Sequence, residues 1–80
     1  MAKLTKSAAK SLRRLPDPLQ AKAKEIIGRL DAEPHLGKNL RGRLEGKRSA
    51  RLGRSHRIIY MSVSGEIVVE AISQRKDSYR

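Results

Sequence analysis

Arginine side chains dominate the residues of this sequence that could do chemistry. Arg51 and Arg57 share parity in an extended strand, so they can project from the same face of a β-sheet, and Arg75 follows the last strand-like segment closely enough to approach them. A guanidinium group binds phosphate through planar, bidentate hydrogen bonds, which a flexible lysine does not form. We therefore predict a phosphate-binding cluster built from Arg51, Arg57 and Arg75.

Cleavage of RNA by its own 2′-hydroxyl is a reaction that such a cluster suits. The reaction needs a group that takes the 2′-OH proton, cations that stabilise the phosphorane, and a donor for the leaving 5′-oxygen. Arginines fill the second role, and Tyr79 could take the first because nearby cations favour a phenolate. Taken singly, each arginine is more simply a surface charge, Tyr79 a tyrosine packed on the sheet, and His56 a polar residue at a strand end.

The charge of the chain favours the same kind of ligand. Its 19 Lys and Arg residues against 8 Asp and Glu give a net charge of +11. This excess favours association with a polyanion such as RNA or the ribosome. The cations concentrate between residues 38 and 57 as a stripe rather than an even coat. The residues predicted to contact RNA or the ribosome are Lys38, Arg41, Arg43, Lys47, Arg48, Arg54 and Lys76.

Other classes of protein are disfavoured by what the sequence lacks. It has no cysteine, and two histidines without carboxylates around them do not make a metal site, so we predict neither a metal nor a cofactor. No apolar run is long enough to span a membrane, and the N-terminus has no hydrophobic signal core. We expect a single domain over residues 1–80, located in the cytoplasm and without a membrane partner.

Helical periodicity is confined to the first part of the chain. Ser7 is placed to cap a helix that should end before Pro16. Asp17 is placed to cap a second helix, with Pro18 in its first turn. Residues 2–5 could form a short edge strand ahead of both. The pattern predicts a strand followed by a two-helix hairpin.

Strand-like segments occupy the last part of the chain. They are Lys47–Leu52, Arg57–Val63 and Glu66–Ile72, and Ser64-Gly65 has the composition of a two-residue hairpin turn. A run of helices followed by a run of strands is typical of an α+β domain. We therefore predict a two-helix hairpin packed on one face of an antiparallel sheet.

The predicted hairpin is apolar on both faces, whereas two short helices can cover only one. Exposed apolar area on a small domain often marks a partner-binding site. The odd-numbered side chains are predicted to form that open face, namely Ile59, Met61, Val63, Ile67 and Val69. One alternative is that loops and the N-terminal strand cover the second face. Another is that the even-numbered face, with Ile58 and Tyr60, is the open one.

The C-terminal half of the sequence carries a recognisable succession of motifs. The run LGKNLRGRLEGKRSARLGRSHRIIYMSVSGEIVVEAISQRKDSY resembles the RelE/ParE superfamily of bacterial toxin–antitoxin toxins. The resemblance implies a short strand, two helices and an antiparallel sheet. In the branch that cleaves mRNA in the ribosomal A site, the matching functional residues are Arg57, Arg75 and Tyr79. It also implies an acidic or amphipathic antitoxin, which would bind the open face and block access to RNA.

Departures from the superfamily pattern leave two other functions open. Ser49 and Arg51 stand where RelE has two lysines, and Ser55-His56-Arg57 is closer to YoeB-like members. Those rely on a glutamate and a C-terminal histidine, where this chain has Glu45 nearby and Tyr79. One alternative is a ParE-like toxin that inhibits DNA gyrase. The other is a basic RNA-binding module. The sequence disfavours it because it has only two aromatic residues, whereas such modules stack bases on several aromatic rings.

Overall fold

Two helices pack on one face of a sheet in the computed structural model, which describes residues 2–40 and 46–74. In chain order the elements are β1 Lys3–Leu4, α1 Lys6–Arg14, α2 Asp17–Leu30, β2 Lys38–Asn39, β3 Lys47–Leu52, β4 His56–Val63 and β5 Glu66–Gln74. The predicted α+β class and the predicted order of elements are confirmed. The sequence pattern did not predict β2, which is only two residues long.

The described residues form one five-stranded sheet with the strand order β1-β5-β4-β3-β2. Neighbouring strands are antiparallel except for β1, which runs parallel to β5 at the edge of the sheet. Helix α1 lies over β5, and α2 lies over β3. Within the described segments, neither helix is long and apolar enough to cross a membrane.

Both helices begin differently from the prediction. Thr5, not Ser7, caps α1, because its Oγ1 accepts a hydrogen bond from the Ala8 N–H at 3.1 Å. Helix α2 has Pro16 as its N-cap, so Asp17 stands inside the first turn. There its carboxylate interacts favourably with the positive end of the helix dipole, but it does not cap the helix. The predicted end of α1 before Pro16 is confirmed.

The turn between β4 and β5 has the predicted two-residue form. Val63 lies opposite Glu66, and Ser64 and Gly65 both have positive φ, 52° and 81°. Two successive positive φ angles are typical of the type I′ turn, whose twist matches that of the flanking strands. This turn fixes the register of the hairpin near its tip.

A β-bulge changes which side chains of β5 face the helices. Tyr60 lies opposite Val69, but the next pair along is Ile59 with Ala71, so Glu70 is the extra residue of β5. Paired residues share a face, and the extra residue reverses the parity of everything beyond it. The core beneath the helices comprises Ala8, Ala23, Ile27, Leu30, Ala50, Leu52, Ile58, Tyr60, Ile67, Val69 and Ile72.

The prediction of the open face is wrong for two of its five members. Ile67 and Val69 are 3% and 0% exposed and belong to the core. The alternative that Ile58 and Tyr60 form the open face is wrong as well, because both are fully buried. The remaining three predicted members lie on the face away from the helices; Ile59 and Met61 are half-buried and Val63 is exposed. The two-residue turn pairs Val63 with Glu66, so near the turn the odd-numbered residues of β4 share a face with the even-numbered residues of β5, and one parity could not describe the open face of both strands.

Candidate nucleic-acid interface

The face of the sheet away from the helices, here called the open face, carries the predicted arginines. Arg51 on β3 lies directly opposite Arg57 on β4, which lies opposite Ser73 on β5. Ser49 belongs to the same face, and its partner across β2 is Lys38. The prediction that Ser49, Arg51 and Arg57 share a face is confirmed, and the sheet adds Lys38 to them.

These side chains line a pocket of about 230 Å³, formed by Leu36, Lys38, Ser49, Arg51 and Arg57. Lys38 and Arg51 are exposed, and Arg57 and Ser49 are half-buried. Leu36 provides an apolar wall and is 39% exposed. Three cations, a hydroxyl and an apolar wall form a surface on which the phosphate and the base of one nucleotide can both find contacts.

Arg51 and Arg57 place two like charges directly opposite each other on β3 and β4. Side chains directly opposite in an antiparallel pair have Cβ atoms about 4.5–5.5 Å apart, and like charges there are destabilising. A bound phosphate would replace this repulsion with attraction to both guanidinium groups. Such a local cost at an exposed site is more typical of a binding surface than of a structural one.

The loop after α2 and the start of β2 supply the two remaining pocket residues, Leu36 and Lys38. Between them, Gly37 is buried, and its N–H donates a hydrogen bond to the Tyr60 hydroxyl at 2.8 Å. That hydroxyl donates in turn to the Pro34 carbonyl at 2.9 Å. A tyrosine on the core side of β4 thus holds a loop whose neighbouring residues line the opposite side of the sheet.

Gly37 is at this position because no side chain fits. A Cβ there would lie 2.8 Å from the Ser49 carbonyl oxygen and 2.9 Å from Tyr60 Cε1. Arg48 holds the other end of the same peptide unit, donating from Nη1 to the Gly37 carbonyl at 2.9 Å. The sequence pattern did not predict the roles of Gly37 and Tyr60, although a buried tyrosine hydroxyl requires a hydrogen-bond partner.

Other cations predicted to contact RNA are distributed around the pocket. Arg48 lies opposite Tyr60 and therefore on the helix side of the sheet, away from the pocket. Lys47 lies on the open face, where its Nζ is 2.6 Å from Glu70 Oε2. Arg54 is exposed in the turn between β3 and β4. The predictions for Arg41, Arg43, Arg75, Lys76 and Tyr79 fall outside the described residues.

The histidines lie away from the pocket lining. His56 lines a separate cavity near the end of α1 together with Arg14, and its Nδ1 is 3.1 Å from the Ser55 hydroxyl. His35 is exposed in the loop after α2. Among residues 2–40 and 46–74 there is no group of three acidic, histidine or cysteine side chains that could hold a metal ion.

Comparison with known proteins identifies the family. The sequence model of the ParE toxin of type II toxin–antitoxin systems matches residues 2–79. This chain belongs to that family. It is also 43% identical over 81 residues to Toxin RelE from Mycobacterium tuberculosis, a match that covers 96% of this chain and 82% of the relative. The resemblance to RelE/ParE superfamily toxins seen in the sequence is therefore confirmed.

Solved structures share the fold. The chain superposes on a protein from the RelBE2 toxin–antitoxin complex of Mycobacterium tuberculosis with a TM-score of 0.82 and 32% identity, covering 94% of this chain and 96% of the other. The YoeB–YefM complex from Staphylococcus aureus matches with a TM-score of 0.79 and 17% identity, covering 91% and 93%. The E. coli RelBE complex gives 0.77 and 16%, with the same coverage. The last two matches establish the fold alone.

Proposed function

We propose that this RelE-like toxin is a ribosome-dependent endonuclease that cleaves mRNA in the A site and so arrests translation. The observation that carries the proposal is the convergence of Lys38, Arg51 and Arg57 on one pocket of the open face. The likeness to a relative named Toxin RelE supports it. The activity is metal-independent, because its electrostatic work is assigned to protein cations.

In the proposed reaction, the 2′-oxygen of a ribose attacks the adjacent phosphorus, and the bond from phosphorus to the 5′-oxygen breaks. The 2′-OH proton passes to a base, and the leaving 5′-oxygen takes up a proton, so that a cyclic phosphate and a 5′-hydroxyl result. Arg51 and Arg57 stabilise the charge that develops on the phosphorane. By resemblance to the family, Arg75 adds a further cation and Tyr79 takes the 2′-OH proton.

Primer extension on a reporter message in a purified translation system tests the proposal. The wild-type toxin should produce breaks within codons that occupy the A site. Arg57→Ala should lower the rate of cleavage about a hundredfold or more, because loss of one donor to a transition-state oxyanion costs about 3 kcal/mol. Arg75→Ala should have a similar effect on the same assay.

Lys10→Ala is the matched control for that experiment. Lys10 is an exposed cation on α1, on the helix side of the molecule, so its replacement removes one charge without touching the open face. It should cleave at the wild-type rate. Equal activity in Arg57→Ala and the wild type would remove Arg57 from the site.

Arg54→Ala should have a smaller effect than Arg57→Ala. Arg54 is exposed in the β3–β4 turn and outside the pocket lining, so we assign it to ribosome affinity. A lost phosphate contact weakens binding and reduces its dependence on salt. The half-saturating toxin concentration should therefore rise in Arg54→Ala while the rate at saturation is kept.

Inhibition of DNA gyrase is the second candidate function. The match of nearly the whole chain to the ParE toxin family favours it. Measuring message cleavage and DNA breakage together distinguishes the two functions. A ParE-like toxin would leave the message intact while DNA breaks accumulate with gyrase. That result, with no cleavage within codons, would replace the first proposal with the second.

We also propose that a cognate antitoxin neutralises the toxin in the cytoplasm. The solved relatives include toxin–antitoxin complexes. On this chain the apolar side chains of the open face, Ile59, Met61 and Val63, would form the antitoxin-binding surface, with cations at its rim. An acidic, amphipathic segment has the chemistry to cover both. Binding should weaken with salt and show a negative heat-capacity change.

A further inference from the structure

The loop between α2 and β2 reaches the pocket through a single buried peptide unit. Its N–H and carbonyl belong to Gly37, and they are held by the Tyr60 hydroxyl and the Arg48 guanidinium. The residues on either side, Leu36 and Lys38, both line the pocket. Two residues that lie on the helix side of the sheet therefore bind the peptide unit between two residues of the pocket.

We infer that Tyr60 and Arg48 are positioning residues of the proposed RNA site, which hold the segment 34–38 so that Leu36 and Lys38 complete the pocket around Arg51 and Arg57. The inference rests on the proposed function in that it assigns the pocket to RNA. It gives Arg48 a different role from the direct RNA contact that the charge pattern predicted. It also gives a role to the hydroxyl of Tyr60.

The hydroxyl of Tyr60 is not needed to fill the core. A phenylalanine ring would occupy the same buried volume beside Ile58 and Val69. Within the described residues, the two hydrogen bonds of the hydroxyl both end in the loop, at Pro34 and Gly37. Burying a hydroxyl oxygen in an apolar core costs free energy unless the oxygen forms hydrogen bonds. Here those hydrogen bonds order the loop.

The hydrogen bonds of Gly37 with Tyr60 and Arg48 are called the clamp below. The close approach of Gly37 to β3 explains why the loop needs them. The segment comes within van der Waals distance of the backbone of Ser49, leaving no room for a Cβ. Beyond it, β2 pairs with β3 at two residues, and the Leu40 N–H donates a hydrogen bond to the Lys47 carbonyl. Without the clamp, a strand that short would position Lys38 poorly, and a loosely placed cation stabilises a phosphate less than a preorganised one.

The experiment compares Tyr60→Phe and Arg48→Met with the wild type. The probe is a fluorescent single-stranded RNA hexamer with 2′-O-methyl groups, which cannot be cleaved, and binding is followed by anisotropy. Each variant should bind the hexamer about tenfold more weakly, the loss expected for one charge-assisted contact. Hydrogen exchange at the Gly37 amide should accelerate at least as much in Tyr60→Phe.

Val69→Ala is the matched control. Val69 is fully buried opposite Tyr60, so its truncation lowers stability without removing a hydrogen bond to the loop. It should bind RNA as the wild type does. If Val69→Ala weakens binding as much as Tyr60→Phe, the effect is one of stability and the inference is overturned.

A double-mutant cycle with Lys38→Gln decides whether the clamp acts through the loop. Lys38→Gln should weaken binding in the wild-type background but by less than twofold in the Tyr60→Phe or Arg48→Met background. Additive losses would mean that Arg48 contacts RNA directly and would overturn the inference. So would an unchanged affinity in Lys38→Gln alone. If Tyr60→Phe fails to fold, the half-buried Arg48→Met carries the same cycle.

These outcomes are distinct from failure of the proposed function. If the wild type leaves mRNA intact on the ribosome, the nuclease proposal falls. Coupling between Tyr60, Arg48 and Lys38 in hexamer binding would still stand in that case. Conversely, cleavage by the wild type with no coupling would keep the nuclease and reject the clamp.

Discussion

The two faces of the sheet are built from the same strands but meet opposite demands. On the helix side, Ala50 and Ile58 lie opposite each other and are 4% and 0% exposed. One residue along each strand, Arg51 and Arg57 face each other on the open side, one exposed and one half-buried. The first pair contributes stability through burial, and the second contributes an electrostatic cost. Recognition and stability are thus separated by a single residue step along each strand.

The largest change in stability is expected when the same charge is placed on each face of the sheet. Val69→Lys should destabilise the fold by about 4 kcal/mol or more, because an unpaired ammonium must be desolvated in the core, and this is a large share of the roughly 5–15 kcal/mol that keeps a small domain folded. Met61→Lys, on the open face, should fold with a change of about 1 kcal/mol or less. Circular dichroism during thermal unfolding measures both. A Val69→Lys variant as stable as the wild type, or an unfolded Met61→Lys, would contradict the assignment of the faces.

The folded Met61→Lys protein then tests the proposed antitoxin surface. It should lose binding of the antitoxin, because a charge at the centre of an apolar contact must be desolvated. Isothermal titration calorimetry with the purified antitoxin gives the affinity. Lys10→Ala, on the helix side, is the control and should bind normally. Wild-type affinity in Met61→Lys would place the antitoxin elsewhere on the toxin.

An intermediate loss of stability is expected at Thr5, whose hydroxyl connects the start of α1 to the bulge in β5 by hydrogen bonds. The Thr5 hydroxyl accepts from the Ala8 N–H and donates to the Glu70 carbonyl at 2.7 Å. Thr5→Val keeps the shape of the side chain and removes both hydrogen bonds, so it should cost about 1–2 kcal/mol. Ser7→Ala, at the position that the sequence suggested as the cap, should be near neutral. Denaturant unfolding distinguishes them, and equal losses would reinstate Ser7.

The smallest expected effect has the opposite sign. Arg51→Thr removes the like charge opposite Arg57 and introduces a residue with higher strand propensity, so it should raise stability by about 0.5 kcal/mol. The gain should shrink in 1 M salt, where screening acts within about 3 Å. The same variant should cleave mRNA poorly if the proposed function holds. A loss of stability in Arg51→Thr would mean that the open face is optimised for folding.

The sequence by itself determined the class of the fold and much of the candidate site. Helical periodicity ahead of Pro16, the Ser64-Gly65 turn and three β-rich segments lead to an α+β domain with a defined hairpin. Arg51 and Arg57 share parity and lie on one face, because Leu52 pairs with His56 and the three residues between them preserve the alternation from one strand to the next. These features are local, so they can be inferred without knowing what packs against them.

Tertiary structure decided the features that depend on residues far apart in the chain. Nothing local marks Glu70 as the extra residue of a bulge, which moves the buried positions of β5 from the odd-numbered Ile67 and Val69 to the even-numbered Ile72. Nor could composition separate Arg48, which binds the Gly37 carbonyl, from the neighbouring cations of the pocket. The clamp joins Tyr60 to Gly37 across 23 positions of sequence. Such contacts exist only once the sheet and the loop are assembled, because their geometry comes from packing rather than from the propensities of the residues themselves.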